Sequence, residues 1–210
     1  MRVRGVLLLA GFLTTGLAQT AQAELVTNGG FEAGFSAPPN YRYLSDGDAL
    51  TIPGWIAGDD GIGEQSYIMS SSGYSYVHEG AFSVFLNQGS ELRTVVSLQS
   101  GQEYELSFFA TSTLPFPQKQ VAPLSVDIGT LSLDFGTDPG ALSFVFTASS
   151  TDASALLRFR NVSLAGDYRG FVLDSVSLVP TTPVPEPASL SLLGLGLAAL
   201  GLRRSLVRRA

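Results

Sequence analysis

The chain has 210 residues and contains no cysteine and one histidine. Without cysteine, it can form no disulfide and offers no thiol nucleophile. Six basic and 18 acidic residues lie between Glu24 and Pro187, so this part of the chain carries a net charge of −12, which argues against a nucleic-acid partner.

The N-terminal residues have the features of an export signal. Arg2 and Arg4 precede an apolar stretch over residues 6–17, and small residues occupy positions 21 and 23. We expect signal peptidase to cut between Ala23 and Glu24, so that residues 1–23 are removed and the chain is exported across an inner membrane.

Residues 24–179 alternate between apolar and polar side chains, as strands with one buried face do. Tyr104, Leu106 and Phe108 form one such set, and Leu142, Phe144 and Phe146 form another. Further strands are predicted over residues 81–86, 91–98, 124–128, 130–135, 155–160 and 171–179, with glycine-containing turns between them. The pattern predicts an all-β domain, a two-sheet antiparallel β-sandwich of the jelly-roll type.

Residues 32–75 are rich in glycine, serine, proline and aspartate, and we expect loops with short or irregular strands there. Four aromatic residues of this region are candidates for stacking against sugar rings: Trp55, Tyr41, Tyr43 and Tyr74. The alternative is that Trp55 belongs to the core and that the tyrosines simply cover the surface.

The C-terminal residues combine a polar motif, an apolar segment and a basic end. Val184, Pro185, Glu186 and Pro187 close a linker over 180–187, residues 188–202 carry no charge, and four arginines follow within 203–210. A helix over 188–202 is about 22 Å long, short of the roughly 30 Å of a bilayer core. It could serve as an anchor, with the arginines of 203–210 on the cytoplasmic side.

This order resembles the PEP-CTERM sorting tail of Gram-negative bacteria. The resemblance implies that an exosortase, a membrane protease, recognises the tail and cleaves near the tripeptide. The protein would then be transiently membrane-anchored before reaching the cell surface or the medium. Proteins of this kind usually accompany exopolysaccharide production and biofilm formation.

Asp174 breaks the pattern of the last predicted strand. It lies in phase with Val172, Val176 and Leu178, the more apolar face, where an unpaired carboxylate is costly. Either the position is near solvent or paired with an arginine, or the carboxylate is a calcium ligand.

Three segments, over residues 26–32, 77–87 and 172–178, resemble galactose-binding-like jelly rolls. Similar segments occur in family 4, 9 and 22 carbohydrate-binding modules and in DUF642-like proteins. The resemblance implies a structural calcium where the first and last strands meet. Transferred position by position, its carboxylate ligands are Glu32 and Asp174.

Catalysis finds little support, because His78 is the single histidine and precedes a Glu-Gly turn. Three hypotheses remain. The first is a non-catalytic surface or matrix protein that associates with extracellular polysaccharide. The second is a structural spacer or self-associating surface protein without a glycan site, and the third is a polysaccharide-active hydrolase.

Overall fold

The computed structural model describes residues 23–34, 40–59, 65–72, 77–112, 123–136, 140–162 and 170–181. These residues contain eleven strands and no helix, and they lie within one compact unit, Gln22–Pro183. The strands are β1 (Tyr41–Tyr43), β2 (Ile56–Asp59), β3 (Tyr67–Ser70), β4 (Phe82–Leu86), β5 (Ser90–Leu98), β6 (Glu103–Ser112), β7 (Leu124–Ile128), β8 (Leu131–Phe135), β9 (Gly140–Thr147), β10 (Asp152–Asn161) and β11 (Phe171–Pro180).

The strands form two sheets that share one core. The six-stranded sheet has the order β1-β3-β4-β11-β6-β9, and the five-stranded sheet has the order β2-β5-β10-β7-β8. Every pair of neighbouring strands is antiparallel. The predicted all-β, two-sheet antiparallel sandwich is therefore confirmed.

The core forms because alternate side chains of the long strands point between the sheets. Tyr104, Leu106 and Phe108 of β6 are buried, and β10 contributes Leu157 and Phe159 from the other sheet. The rings of Phe108 and Phe159 meet edge to face, with centroids 5.1 Å apart. The period-two pattern of the sequence thus corresponds to real burial in the longest strands.

Strands β1, β2 and β3 lie in the region that the sequence marked as mainly loops. Each has only three or four residues, too few for a sustained alternation. Pairing with longer neighbours defines them: Tyr67 of β3 pairs with Phe85 of β4, and Ala57 of β2 pairs with Leu92 of β5. Long-range partners, which no local pattern shows, decide the conformation here.

A β-bulge interrupts β11. The register against β6 shifts between Asp174 and Ser177, and Ser175 has a positive φ of 51°. The bulge changes which face the following side chains occupy. Leu173 and Val176 both join the main core, whereas Val172 belongs to a second cluster with Met69 and Phe85.

The prediction that Asp174 shares the inward face of Val176 and Leu178 was therefore wrong. Leu173 points into the main core, and Asp174, the next residue, points to the opposite face. The Asp174 side chain contacts His78 and Glu79, in the segment that covers the outer face of the six-stranded sheet. The apolar pattern of seven residues does not reveal a bulge. A bulge is an extra residue in one strand relative to its partner, and the pairing with the partner strand is not visible in the sequence.

Residues 1–22 and 182–210 lie outside the described residues. These ranges include most of the predicted signal peptide and the whole segment 188–202. In the part of the chain that the structure does describe, no helix is long and apolar enough to cross a membrane.

Candidate functional sites

Trp55 lies in the core and is only 1% exposed. Its indole Nε1 donates a hydrogen bond to the carbonyl oxygen of Asn28 at 3.1 Å, and its ring packs against Phe31 and Phe159. Of the two alternatives that the sequence left open for Trp55, the structure supports the core. This ring has no face available for a sugar.

Tyr41 and Tyr43 instead lie on the surface, 42% and 54% exposed. They sit on β1, at one edge of the six-stranded sheet, and their rings contact each other with centroids 5.3 Å apart. Tyr67 of β3 contacts both rings and stacks on Phe85, with centroids 4.6 Å apart and planes 16° from parallel. We call Tyr41, Tyr43, Tyr67 and Phe85 the tyrosine cluster.

Cross-strand register places the rings of the cluster in a row. Tyr43 pairs with Tyr67, and Tyr67 pairs with Phe85, so three aromatic side chains occupy neighbouring positions on one face. Phe85 in turn belongs to the small buried cluster with Val172. Tyr74 lies outside the described residues.

The outer face of the five-stranded sheet carries a different chemistry. Arg158 of β10 donates from Nε and Nη2 to Asp127 Oδ2 of β7, at 2.9 and 2.6 Å. Glu91 of β5 bridges Arg93 and Arg158, at 2.8 and 3.4 Å. The network was not predicted, and its sign in the sequence is two pairs of charged residues, Glu91 with Arg93 and Arg158 with Arg160, each separated by one apolar residue.

Charge pairing sets the titration of this network. Burial raises the pKa of Asp127, but hydrogen bonds from Ser132 and Arg158 and the charge of Arg158 outweigh it, so that the pKa is lowered. For Arg158, burial lowers the pKa, but the hydrogen bonds to Asp127 and Glu91 and the charges of these two carboxylates together outweigh it, so that the pKa is raised. Both groups are therefore held in their charged forms.

Asp174 is fully buried and accepts four hydrogen bonds. Its Oδ2 accepts from the backbone N–H groups of His78 and Glu79, at 3.2 and 3.1 Å, and from the Ser83 hydroxyl at 2.7 Å. Its Oδ1 accepts from the N–H of Ser175 at 2.7 Å. Burial raises the pKa of Asp174, and these four donors only partly oppose it.

Glu32 binds the same segment as Asp174 does. Its Oε1 accepts hydrogen bonds from the N–H groups of Ala81 and Phe82, at 2.8 and 3.0 Å. Gly80 has a φ of +68°, and a Cβ there would lie 2.2 Å from Glu32 Oε1. Glycine is required at this position, since the turn needs both a positive φ and the close approach of the carboxylate.

The structure thus brings Glu32 and Asp174 to one segment, residues 78–83. A cavity beside it is lined by Gly30, Glu32, Glu79, Gly80, Ser175, Val176 and Ser177. Asp174 is not among these lining residues. Within the described part of the chain, no group of three or more acidic or histidine side chains forms a metal-binding cluster.

The oxygen donors at the cavity nevertheless suit calcium, a hard cation that accepts carboxylate, hydroxyl and carbonyl oxygens. Between described residues, Glu32 Oε2 accepts no hydrogen bond, and Asp174 Oδ1 accepts one. A carboxylate oxygen has two lone pairs, so both atoms retain capacity for a cation. Two carboxylates supplemented by main-chain oxygens could hold the ion.

His78 is engaged in packing. Its ring stacks on Phe109, with centroids 3.7 Å apart and planes 3° from parallel, and its backbone N–H donates to Asp174. This arrangement fixes the loop before β4 over the outer face of the six-stranded sheet.

Ala23 and Glu24, which flank the predicted cleavage site, are both exposed. Glu24 Oε1 accepts hydrogen bonds from the N–H groups of Val26 and Leu178, which fastens this end of the chain to β11. The motif residues Val184, Pro185, Glu186 and Pro187 lie outside the described residues.

Residues 183–205 match the PEP-CTERM protein-sorting motif. This motif indicates a bacterial protein that is exported, passes through a membrane-bound stage and is processed by an exosortase. No curated protein matches the chain.

Several solved structures are similar to the sandwich. An arabinose-bound α-L-arabinofuranosidase matches with a TM-score of 0.50 and 17% identity, over 76% of this chain and 27% of that one. A CBM4 domain matches with a TM-score of 0.39 and 19% identity, over 60% and 94% of the two chains. A xylan-binding CBM22-1 domain from Paenibacillus barcinonensis matches with a TM-score of 0.41 and 12% identity, over 69% and 94%. The chain carries a PEP-CTERM protein-sorting motif, and carbohydrate-binding modules are among the structures that its all-β sandwich is similar to.

Proposed function

We propose that this chain is a non-catalytic surface or extracellular-matrix protein of a Gram-negative bacterium whose sandwich associates with exopolysaccharide. The observation that carries the proposal is the tyrosine cluster, which presents Tyr41 and Tyr43 to solvent on a sheet edge. In this account, signal peptidase removes residues 1–23, the sandwich spans 24–179, and 180–187 links it to the sorting segment 188–202 and the cytoplasmic tail 203–210.

The tyrosine cluster has the chemistry that neutral sugars require. The face of a pyranose ring is lined by C–H groups and packs on aromatic rings, while a phenol hydroxyl can hydrogen-bond a sugar hydroxyl. Tyr41 and Tyr43 contact each other and Tyr67, so little side-chain entropy remains to be lost when a ligand binds. The net charge of −12 is no obstacle, because a neutral polymer is not repelled.

The non-catalytic part of the proposal rests on the single histidine. The ring of His78 packs face to face against Phe109, which leaves it poorly placed to serve as a base for a serine nucleophile. Four charged groups of the five-stranded sheet are likewise paired with one another: Glu91, Arg93, Asp127 and Arg158.

Retention on the producer's own exopolysaccharide tests the binding. We expect the purified protein to be retained, and the double variant Tyr41→Ala/Tyr43→Ala to pass through. Val95→Ala is the matched control, since Val95 is exposed on the outer face of the other sheet. Failure of the unmodified protein to be retained would contradict the proposal. Release of reducing sugar from the polymer would replace it with a hydrolase.

Intact mass tests the proposed sorting. Protein recovered from its own host should begin at Glu24 and end near Pro187 when an exosortase has acted. A membrane fraction containing chains that end at Ala210 would instead indicate a plain anchor.

We also propose that a structural calcium binds beside residues 78–83, held by Glu32, which lines the cavity there, and by Asp174, which precedes the lining residue Ser175. The supporting observation is that both carboxylates bind this segment while each keeps oxygen lone pairs unused between the described residues. The ion would supply positive charge where Glu32 and Glu79 face the same cavity.

Thermal melting with calcium and with EDTA tests this site. Calcium should raise the melting temperature, and Asp174→Ala should abolish the rise. Glu32→Gln is the sharper variant, because the amide oxygen still accepts from Ala81 and Phe82 while the charge is lost. Asp134→Asn, on the exposed face of β8, serves as the control. Identical melting curves in calcium and in EDTA would contradict the proposed calcium site.

A further inference from the structure

Strand β9 forms the edge of the six-stranded sheet opposite the tyrosine cluster. It runs for eight residues, Gly140–Thr147, and pairs with β6 on one side. Between the described residues, no backbone hydrogen bond reaches its other side. A row of backbone N–H and C=O groups is therefore open to pairing.

The three other edge strands carry features that discourage pairing, and β9 does not. β1 has three residues with Arg42 at its centre, and β8 has five residues including Asp134. On β2, the N–H and C=O groups of Ala57 are already bonded to Asp48 and Gly47. By contrast, β9 contains no charged residue and no proline, and Phe144, Val145 and Phe146 favour extended structure.

The core is also incompletely covered on this side. Of the seven half-buried apolar residues that pack against the main core, five belong to β8 and β9: Leu131, Phe135, Leu142, Phe144 and Phe146. Phe135 and Phe144 meet across the gap between the sheets, with centroids 5.8 Å apart. On the outer face of the same strand, Val145 is 57% exposed. A partner strand paired along β9 would bury more of the surface of these side chains.

The lack of charge on β9 favours a second copy of this chain as the partner at this edge. The exported part of the chain carries −12, so two copies repel each other over most of their surfaces. The outward positions of β9, Ala141, Ser143, Val145 and Thr147, are all neutral. An antiparallel pair of β9 strands places these neutral positions against one another, so the edge is complementary to itself without any like-charge contact.

We infer that β9 pairs antiparallel with β9 of a second copy of this chain, joining two six-stranded sheets into one continuous sheet. The contact is isologous, and it leaves the tyrosine cluster at the two far ends of the joined sheet. A dimer of this form presents two glycan-contacting surfaces, which raises the avidity for a polymer.

Sedimentation velocity of the exported protein over a concentration series tests the pairing. The unmodified protein should show a dimer that grows with concentration, and Val145→Lys should remain monomeric. Lysine is tolerated in the fold because residue 145 pairs with Glu105 of β6. Val95→Lys is matched in exposure, 56% against 57%, and adds the same charge on the other sheet, so it should dimerise normally.

Single-cysteine variants give an independent reading, since the chain has no cysteine of its own. Under oxidising conditions, a cysteine at one or more of the four outward positions of β9 should cross-link two chains, and Val95→Cys should not. A monomer at every concentration, or equal association of Val145→Lys and the unmodified protein, would overturn the inference. Loss of glycan retention would not, because the tyrosine cluster is a separate surface.

Discussion

Two aromatic groups in this domain differ in what surrounds them. Phe31, Trp55 and Phe159 lie between the sheets, where each ring is buried. Tyr41 and Tyr43 lie on the outer edge of the six-stranded sheet, where each keeps a large exposed area. The first group stabilises the sandwich, and the second leaves part of each side chain exposed to solvent.

The difference shows that residue type alone does not assign an aromatic side chain to packing or to binding. Trp55 is the single tryptophan of the chain and was a candidate for sugar stacking, yet its hydrogen bond to Asn28 and its ring contacts with Phe31 and Phe159 place it in the core. Tyr41 and Tyr43 are exposed on the short strand β1, which is the last strand of this sheet among the described residues. Position in the sheet order therefore separates the buried aromatic residues from the exposed ones.

Replacing Trp55 should have the largest effect on stability. Trp55→Ala leaves a cavity in the core and should lower the free energy of unfolding by about 3–5 kcal/mol. Tyr43→Ala should change it by only about 0.5 kcal/mol, since the side chain is exposed. Urea denaturation of both variants gives the comparison. Equal losses would mean that the tyrosine cluster is part of the core.

The loop that covers the outer face beside the tyrosine cluster should depend on Asp174. Asp174→Ala leaves four donors without their acceptor, from His78, Glu79, Ser83 and Ser175. We expect a loss of about 1–3 kcal/mol, because the Ser83 hydroxyl is buried and a buried donor left unpaired costs roughly that much. Asp134→Ala, at an exposed position, should change stability little. A similar small effect for both would show that the loop does not rely on Asp174.

The opposite outer face should respond to pH. The folded state lowers the pKa of Asp127 below its ordinary value of 3.8. A carboxyl with a lowered pKa stabilises the fold above its unfolded pKa, and this contribution is lost as the pH falls through the folded value. Stability should therefore decline below about pH 4, and Asp127→Asn should flatten that decline. Acid titrations of the two proteins that superimpose in shape would contradict this role.

The sequence predicted the fold well where strands are long and poorly where they are short. Alternation identified β6 and β9, because each buries one face over eight or more residues. It did not identify β1 or β3, whose pairing partners come from distant segments. Side-chain alternation predicts the face of a residue correctly only while the register is uninterrupted. The prediction therefore assigned Asp174 to the wrong face, because it did not include the bulge at Ser175.

The sequence indicates which residue types are suited to a site, but it does not show which of them are exposed or lie close together. Glu32 and Asp174 hydrogen-bond to one segment, residues 78–83, and their assignment as calcium ligands stays a prediction. The role of Trp55 could not be decided, since exposure depends on which strands pack over it. The Arg158–Asp127 pair was missed because it joins residues 31 positions apart on neighbouring strands.

A binding isotherm with the host exopolysaccharide tests the account most directly. We predict that Tyr41→Ala/Tyr43→Ala weakens binding by about tenfold or more, since each aromatic contact contributes roughly 0.5–1.5 kcal/mol. Unchanged unfolding curves would show that the variant stays folded, and Val95→Ala should bind as the unmodified protein does. Full affinity in the tyrosine variant, or loss of affinity only in Val95→Ala, would place the ligand elsewhere and contradict the account.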